Sequence, residues 1–186
     1  MKIKSALASF FLKILGWKPT EFPDVGNCVI AVAPHTSMWD FLWGKLYILS
    51  KRRESCVLIK KEIFKFPLGW LLKMAGGVPV DRMSPQSLAK QLPKLFDEKP
   101  GLAIAITPEG TRKKTNHWKK GFIFVAKAAQ VPIVIGFINY KTKELGVVGV
   151  MDYKGDEDEI MNNFKRKFIG MEGKHPEKFI TGIENE

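Results

Sequence analysis

The chain has 186 residues, of which 45% are hydrophobic, so its length predicts one domain with a buried core and argues against a second. Thirty Lys and Arg residues against nineteen Asp and Glu residues leave a net charge of +11. This charge suits an anionic partner, such as a phospholipid surface, an acidic carrier protein, a phosphorylated substrate or nucleic acid. No run of about 18 apolar residues is present, which argues against a membrane-spanning helix in this sequence. Cys28 and Cys56 lie in apolar runs without zinc-site or disulfide spacing, and we interpret them as buried thiols.

Residues 1–18 predict an amphipathic helix. Apolar residues recur there at steps of three and four, among them Leu7, Phe10 and Ile14, while lysines mark both ends. A basic amphipathic helix with aromatic side chains can lie in the interface of a bilayer, but it can also pack on the core of its own domain. We expect residues 1–18 to be a membrane-interface helix and residues 19–186 to be the globular domain.

Strand-like and helix-like segments alternate along the rest of the chain. Short apolar runs predict strands, and longer segments with helical spacing and caps predict helices. In chain order the predicted elements are a strand at 28–34, a helix at 39–49, a strand at 56–59, an apolar segment at 63–74, an extended piece at 77–80, a helix at 85–96 capped by Ser84, a strand at 102–106, a helix at 121–130, strands at 132–138 and 145–150, and a helix at 156–169. This order predicts an α/β fold, with a central mixed, largely parallel sheet flanked by helices and an additional N-terminal amphipathic helix.

A histidine and an aspartate follow the first long strand. His35 and Asp40 are five positions apart, so they would not share a face of one helix and can meet only if His35 lies in the turn ahead of it. In that arrangement Asp40 fixes the imidazole tautomer, and the other ring nitrogen takes a proton from a substrate hydroxyl. The same residues have a structural interpretation, because Ser37 and Asp40 are spaced like a capping box at a helix start.

A second polar cluster follows the strand at 102–106, and we expect it to meet the first at one edge of the sheet. Glu109 can accept a hydrogen bond from a substrate hydroxyl, and Gly110 lets backbone approach an anion. The planar guanidinium of Arg112 can bind a phosphate through two parallel hydrogen bonds, and Thr111 can add a hydroxyl. The structural alternative is an ordinary polar turn, since Pro-Glu-Gly is good turn chemistry.

Together the two clusters resemble the glycerolipid acyltransferases, which include 1-acylglycerol-3-phosphate acyltransferases. The His-x4-Asp block of that family matches His35 and Asp40, and its Pro-Glu-Gly-Thr-Arg block matches residues 108–112 without a gap. The family's two remaining blocks resemble residues 77–82 and 131–134. The resemblance therefore covers about residues 28–138, and the two best blocks occur in the family's order.

The resemblance implies a site and a chemistry. It makes His35 the general base and Asp40 its support, and it assigns acceptor binding to Arg82, Glu109 and Arg112; we add Gly110 and Thr111 as residues that shape the acceptor site. It implies no metal, no cofactor and no covalent enzyme intermediate. Residues 19–186 would then be the acyltransferase domain.

The resemblance also implies substrates and a location. The donor is an acyl thioester of CoA or of acyl carrier protein, and the default acceptor is 1-acylglycerol-3-phosphate, with a lyso-amino-acid lipid as the alternative. We expect a peripheral protein on an anionic membrane surface, at the cytoplasmic face. A non-catalytic basic lipid-binding module is the competing interpretation, and nucleic acid is not expected, because the basic residues are scattered without a recognition motif.

One further apolar stretch, residues 64–72, has two interpretations. It can be core, or it can form an acyl-chain groove or a membrane-facing lip, because a long-chain substrate must leave the bilayer without exposing its tail to water.

Overall fold

A computed structural model describes residues 2–66, 68–74, 76–80 and 85–183. The helices are α1 (Lys2–Ile14), α2 (Trp39–Ser50), α3 (Leu68–Met74), α4 (Pro85–Glu98), α5 (Gly121–Ala129) and α6 (Glu157–Arg166), with 3-10 turns at Lys61–Ile63 and Pro176–Lys178. The strands are β1 (Lys18–Pro19), β2 (Cys28–Ala33), β3 (Glu54–Lys60), β4 (Gly77–Val80), β5 (Leu102–Ile106), β6 (Ile133–Asn139) and β7 (Glu144–Met151). Within the described residues, none of the helices is long and apolar enough to cross a membrane.

The strands form one seven-stranded sheet in the order β1-β7-β6-β2-β5-β3-β4. Every neighbouring pair is parallel except β6 and β7, which are antiparallel. Strand β2 lies between β5 and β6, with Ala31 opposite Ile106 and Ala33 opposite Phe137. The carboxyl ends of these three strands therefore share one edge of the sheet, where the loops after β2, β5 and β6 meet. The predicted α/β class with a mixed, largely parallel sheet is confirmed.

Each face of the sheet has its own hydrophobic core. Successive side chains of β2 point to opposite faces of the sheet. Val29 and Ala31 join one core, whereas Cys28 and Ile30 join the other. The first core contains buried residues of α4, α5 and α6, and the second contains buried residues of α1 and α2. Helices therefore cover both faces of the sheet, as a mostly parallel sheet requires.

Helix α1 packs on α2 through one of its faces. Its buried side chains are Ser5, Ala8 and Leu12, and the Ser5 hydroxyl donates to the Ser50 carbonyl at 2.9 Å. Most of the large apolar side chains face outward, and Ile3 is 79% exposed. The helix is thus attached to the domain by one face and presents an apolar face to its surroundings.

Several boundaries differ from the sequence-based prediction. Strand β1 was not predicted; it forms because the Lys18 N–H donates to the Lys143 carbonyl and the Thr20 N–H to the Leu145 carbonyl. Helix α6 ends at Arg166, three residues earlier than predicted. The predicted cap at Ser84 lies outside the described residues.

Candidate active site

His35 lies in the turn between β2 and α2, where the strand delivers it to the edge of the sheet. Its Nδ1 lies 3.2 Å from Asp40 Oδ2, and its side chain is 20% exposed. Because Nδ1 is engaged by the carboxylate, Nε2 is the nitrogen left for a substrate. The two residues meet as the sequence predicted, since the turn brings His35 back over the first turn of α2.

Asp40 makes the contacts that both interpretations of the sequence require. Its Oδ2 also accepts hydrogen bonds from the Thr36 and Ser37 backbone N–H groups, at 2.8 and 2.9 Å, so it reaches back to the chain ahead of the helix. Burial alone would raise the pKa of Asp40, but hydrogen bonds from His35, Tyr140 and Ser37 together hold it below its ordinary value. The carboxylate is therefore ionised and fixed in orientation beside the imidazole.

Tyr140 is a site residue that the sequence analysis missed. Its hydroxyl donates to Asp40 Oδ1 at 2.7 Å, and its ring packs edge-to-face on Trp17 with centroids 5.1 Å apart. Burial, and then the neighbouring Asp40 carboxylate, raise the pKa of Tyr140, so the phenol stays a neutral donor. The available signal was positional, because Tyr140 directly follows β6 and so lies at the same sheet edge as His35.

Glu109 is buried beneath the histidine turn. It is 2% exposed, and its Oε1 accepts a hydrogen bond from the His35 backbone N–H at 2.6 Å. Burial raises the pKa of Glu109 to about 8, with the nearby Asp40 charge adding to the shift and the His35 N–H opposing it. The sequence predicted an acceptor for a substrate hydroxyl at this position, whereas the described contact is with backbone, so the side chain ties the two polar loops together.

The other residues of the second cluster follow Glu109 in the loop after β5. Gly110 lines the cavity with a positive φ of 64°, and a Cβ there would approach Lys119 Cδ to 2.9 Å. Thr111 accepts from the Lys113 N–H at 3.2 Å, and Arg112 is exposed. Arg82, the remaining predicted substrate-binding residue, lies outside the described residues.

A cavity of about 670 Å³ opens beside His35 and Asp40, and both residues line it. Residues of α2, of the sheet and of the start of α5 line it, and apolar side chains make up most of its wall. Representative members are Ile30, Val32, Phe41, Ile48, Ile138 and Leu145. A concave, mostly apolar wall with a few polar groups at one place is the usual form of a small-molecule site.

The segment that holds Asp40 and Tyr140 in place is partly C-terminal. The Tyr140 N–H donates to the Glu172 carbonyl at 2.9 Å, and the His175 N–H donates to the Thr36 hydroxyl at 3.2 Å. Gly173 packs on Thr36 so closely that a Cβ there would lie 2.6 Å from its hydroxyl oxygen. These contacts place residues 172–175 against the His-x4-Asp turn, although nothing in their sequence indicated it.

Large apolar side chains are exposed close to this edge. Met38 and Trp39 project at the start of α2, while Phe66 is 94% exposed and Trp70 is also exposed. The interpretation of residues 64–72 as core is therefore wrong for Phe66 and Trp70. Neither is among the residues that line the cavity described next to His35.

A family model described as Acyltransferase matches residues 18–135, which is more than half of the chain. The chain belongs to the acyltransferase family. This confirms the resemblance drawn from the His-x4-Asp and Pro-Glu-Gly-Thr-Arg blocks.

Curated relatives carry one activity in their names. The chain is 30% identical over 115 residues to a 1-acyl-sn-glycerol-3-phosphate acyltransferase of Streptococcus pneumoniae, covering 61% of this chain and 42% of that protein. It is 33% identical over 115 residues to the Pseudomonas aeruginosa protein of the same name, and the match covers 58% of this chain and 42% of that protein. It is 31% identical over 123 residues to the human 1-acyl-sn-glycerol-3-phosphate acyltransferase beta, and the match covers 62% of this chain and 42% of that protein. The matched part of this acyltransferase thus spans about two fifths of these relatives' length.

A solved structure has the same fold. The 1-acyl-sn-glycerophosphate (LPA) acyltransferase PlsC from Thermotoga maritima superposes with a TM-score of 0.57 at 19% identity, covering 89% of this chain and 75% of that one.

Proposed function

We propose that this acyltransferase moves a fatty acyl group from an acyl thioester to the hydroxyl of a 1-acylglycerol-3-phosphate. The observation that carries the proposal is the His35–Asp40 pair, 3.2 Å apart, at an apolar cavity of about 670 Å³. The names of the curated relatives support the same reaction. The donor is acyl-CoA or acyl carrier protein.

In the proposed reaction His35 is the general base. Its Nε2 takes the proton from the acceptor hydroxyl while that oxygen attacks the thioester carbonyl, and the Asp40 carboxylate stabilises the imidazolium. The tetrahedral intermediate collapses, its carbon–sulfur bond breaks, and His35 returns the proton to the departing thiolate. The products are the new ester and the free thiol, and His35 is again neutral. The chemistry needs no covalent enzyme intermediate.

The cavity is proposed to hold the acyl chain of the donor. A chain withdrawn from a bilayer must stay out of water, and the apolar wall between α2 and the sheet offers that environment. Glu109 serves this arrangement indirectly, because its bond to the His35 N–H fixes the turn that carries the base.

The acceptor is proposed to bind at the rim through its phosphate. Arg112 is exposed beside Gly110, and Lys113, Lys114 and Lys119 keep the same loop positive. A guanidinium can hold a phosphate with two parallel hydrogen bonds, while lysines add attraction. We assign Arg82 to the same phosphate from the family resemblance. A lyso-amino-acid lipid without phosphate is the competing acceptor and would make less use of Arg112.

The protein is proposed to work as a peripheral protein on an anionic bilayer, at its cytoplasmic face. Helix α1, which ends at Ile14 within the predicted segment 1–18, is proposed to be the interface helix, and residues 19–186 the acyltransferase domain. The outward face of α1 carries exposed Ile3, Leu7, Phe10 and Ile14, and exposed lysines stand among them. An amphipathic helix of this kind lies in the interface with its apolar face buried and its cations near anionic headgroups.

The test is thioester consumption by the purified full chain. Acyl-CoA and acyl carrier protein are each supplied as donor with lysophosphatidic acid, glycerol-3-phosphate or a lyso-amino-acid lipid, and His35→Ala is the control. Turnover that requires lysophosphatidic acid and His35 supports the proposal. Turnover with the amino-acid lipid alone would replace the acceptor. Liposome binding without turnover on any acceptor would favour the non-catalytic lipid-binding module.

A further inference from the structure

The proposed reaction creates a negative charge on the oxygen of the thioester carbonyl. This charge appears when the acceptor oxygen attacks the carbonyl carbon, and it is lost again when the carbon–sulfur bond breaks. In acyl transfer, hydrogen-bond donors aimed at this oxyanion often contribute the largest share of the catalysis, and backbone N–H groups or side chains can supply them. A donor for the oxyanion must lie near His35, because the attack takes place beside that base.

The backbone N–H groups close to His35 are already engaged. The N–H groups of residues 35–37 all donate to carboxylates, those of Glu109 and Asp40. On the neighbouring loop, the Gly110 N–H donates to the Thr107 carbonyl at 3.0 Å. These N–H groups are therefore not available to an oxyanion, and a side chain is the better source of a donor.

Lys119 is a cation that lines the cavity together with His35. The other cations of residues 112–120 are not among the residues that line it. Among the described residues, the other lysine of the cavity wall is Lys45, and its ammonium already donates to the Ser55 carbonyl at 3.0 Å. Lys119 is exposed and pairs with none of the described carboxylates, so its ammonium is available to a substrate.

The side chain of Lys119 lies over Gly110. A Cβ on Gly110 would come within 2.9 Å of Lys119 Cδ and 3.1 Å of its Nζ, so the space that glycine leaves is filled by the lysine stem. The Lys119 N–H donates to the Pro108 carbonyl at 2.7 Å, which fixes the base of the side chain on the same loop. Glu109, between Pro108 and Gly110, accepts from the His35 N–H. The ammonium is therefore carried by the loop that contacts the histidine turn.

We propose that the Lys119 ammonium stabilises the oxyanion of the tetrahedral intermediate. The inference rests on the proposed function, in which the thioester is attacked beside His35. As the acceptor oxygen bonds to the carbonyl carbon, its proton moves to His35 Nε2 and the carbonyl oxygen takes up the electron pair. The ammonium donates a hydrogen bond to that oxygen and keeps its own proton. When the carbon–sulfur bond breaks, the electron pair re-forms the carbonyl, and the thiolate takes the proton from His35.

The test measures kcat and KM of K119M with acyl-CoA and lysophosphatidic acid. Methionine keeps an unbranched stem over Gly110 but has no hydrogen-bond donor and no charge. We expect kcat to fall about 100-fold to 1000-fold, the usual effect of removing one oxyanion donor, while the acceptor KM changes little. K119R keeps a cation with donors, so its kcat lies between those of K119M and the wild-type protein. A K119M protein with the wild-type kcat and a raised acceptor KM would assign Lys119 to the phosphate and overturn the proposal.

The matched control is K120M. Lys120 is the next residue along the chain and pairs with Asp158 at 2.8 Å, but it is not among the residues that line the cavity. The substitution removes the same charge from the same loop, so it reports any general effect of the electrostatic field. We expect K120M to keep the wild-type kcat. A fall in kcat of the same size in K120M and K119M would overturn the proposal.

Thioester hydrolysis separates this inference from the proposed reaction. Water that attacks the same carbonyl creates the same oxyanion, so cleavage of acyl-CoA without an acceptor is measured on the wild-type protein, K119M and K120M. If no acceptor is acylated but K119M alone hydrolyses acyl-CoA more slowly, the proposed reaction fails and the role of Lys119 stands. If lysophosphatidic acid is acylated with the same kcat by K119M and the wild-type protein, the role of Lys119 is overturned and the reaction stands. A wild-type protein that neither acylates an acceptor nor hydrolyses acyl-CoA would overturn both.

Discussion

The hydroxyl of Tyr140 donates to Asp40 Oδ1 at 2.7 Å across a separation of 100 residues. The other oxygen, Oδ2, lies within hydrogen-bond reach of His35 Nδ1 and of two backbone N–H groups. Both carboxylate oxygens are thus engaged, and the group has one orientation. Tyr140 itself packs on Trp17, so the geometry of the His35–Asp40 pair depends on packing outside the His-x4-Asp turn.

Tyr140→Phe should lower kcat about tenfold and leave the KM for the donor unchanged. The ring and its packing on Trp17 remain, but Asp40 loses a hydrogen bond to a charged group, which contributes about 1.5–3 kcal/mol. Steady-state kinetics measure the effect, and Tyr153→Phe, which removes a hydroxyl elsewhere, is the matched control. A Tyr140→Phe protein with the wild-type kcat would show that the hydroxyl has no part in positioning Asp40.

The sequence could predict the His35–Asp40 pair because the evidence for it is local. A strand, a turn and a helix start fix where both side chains lie, and parallel strands bring the loop of Glu109 to the same edge. Tyr140 could not be predicted in this way, since its role depends on the register of β6 and on Trp17. The sequence also could not predict which side chains of α1 face outward, because an apolar periodicity does not say which of the apolar residues are buried.

His35→Ala and Asp40→Asn should differ in stability although both remove activity. Loss of the general base lowers kcat by about 100-fold to 10,000-fold, while the free energy of unfolding changes little because His35 is partly exposed. In Asp40→Asn the hydrogen bonds from Thr36, Ser37 and Tyr140 no longer go to a charged group, which costs about 1–3 kcal/mol of stability. Denaturant unfolding alongside kinetics measures both quantities. Equal stability of Asp40→Asn and the wild-type protein would show that the charge of Asp40 adds nothing to these hydrogen bonds.

Glu109→Gln should change how stability depends on pH. Burial raises the pKa of Glu109 to about 8, from an ordinary value of 4.5, so between these values the folded protein holds a proton that the unfolded chain has lost. The contribution of Glu109 to the free energy of unfolding is fully present below pH 4.5 and is lost as the pH rises from 4.5 through 8. Glutamine accepts from the His35 N–H and does not titrate. The unfolding free energy of Glu109→Gln should therefore exceed that of the wild-type protein by a margin that grows about 1.4 kcal/mol per pH unit across this window and is constant above it.

Urea unfolding from pH 5 to 9 measures that margin. A margin that stays the same across the range would mean that Glu109 titrates outside this window.

Arg112→Ala should raise the KM for a phosphorylated acceptor at least tenfold and leave the KM for the donor unchanged. Arg112→Lys tests charge and geometry separately, because lysine keeps the charge but cannot make two parallel hydrogen bonds to a phosphate. Its affinity for the acceptor should lie between those of Arg112→Ala and the wild-type protein. Kinetics with lysophosphatidic acid, at fixed donor, give both values. An unchanged acceptor KM in Arg112→Ala would remove this residue from the phosphate site.

Phe10→Ser should weaken binding to anionic liposomes by about tenfold to 100-fold. Phe10 is exposed on the outward face of α1, so the change leaves the packing of Ser5, Ala8 and Leu12 on α2 intact. A large apolar side chain that enters the bilayer contributes about 1.5–3 kcal/mol, which sets the size of the effect. Ile169→Ser is the matched control, because Ile169 is exposed just after α6, on the opposite face of the sheet. Liposome sedimentation measures binding, and turnover on a short-chain, water-soluble acceptor should be the same in Phe10→Ser and wild type. Equal liposome binding by Phe10→Ser and wild type would show that α1 does not enter the membrane through this face.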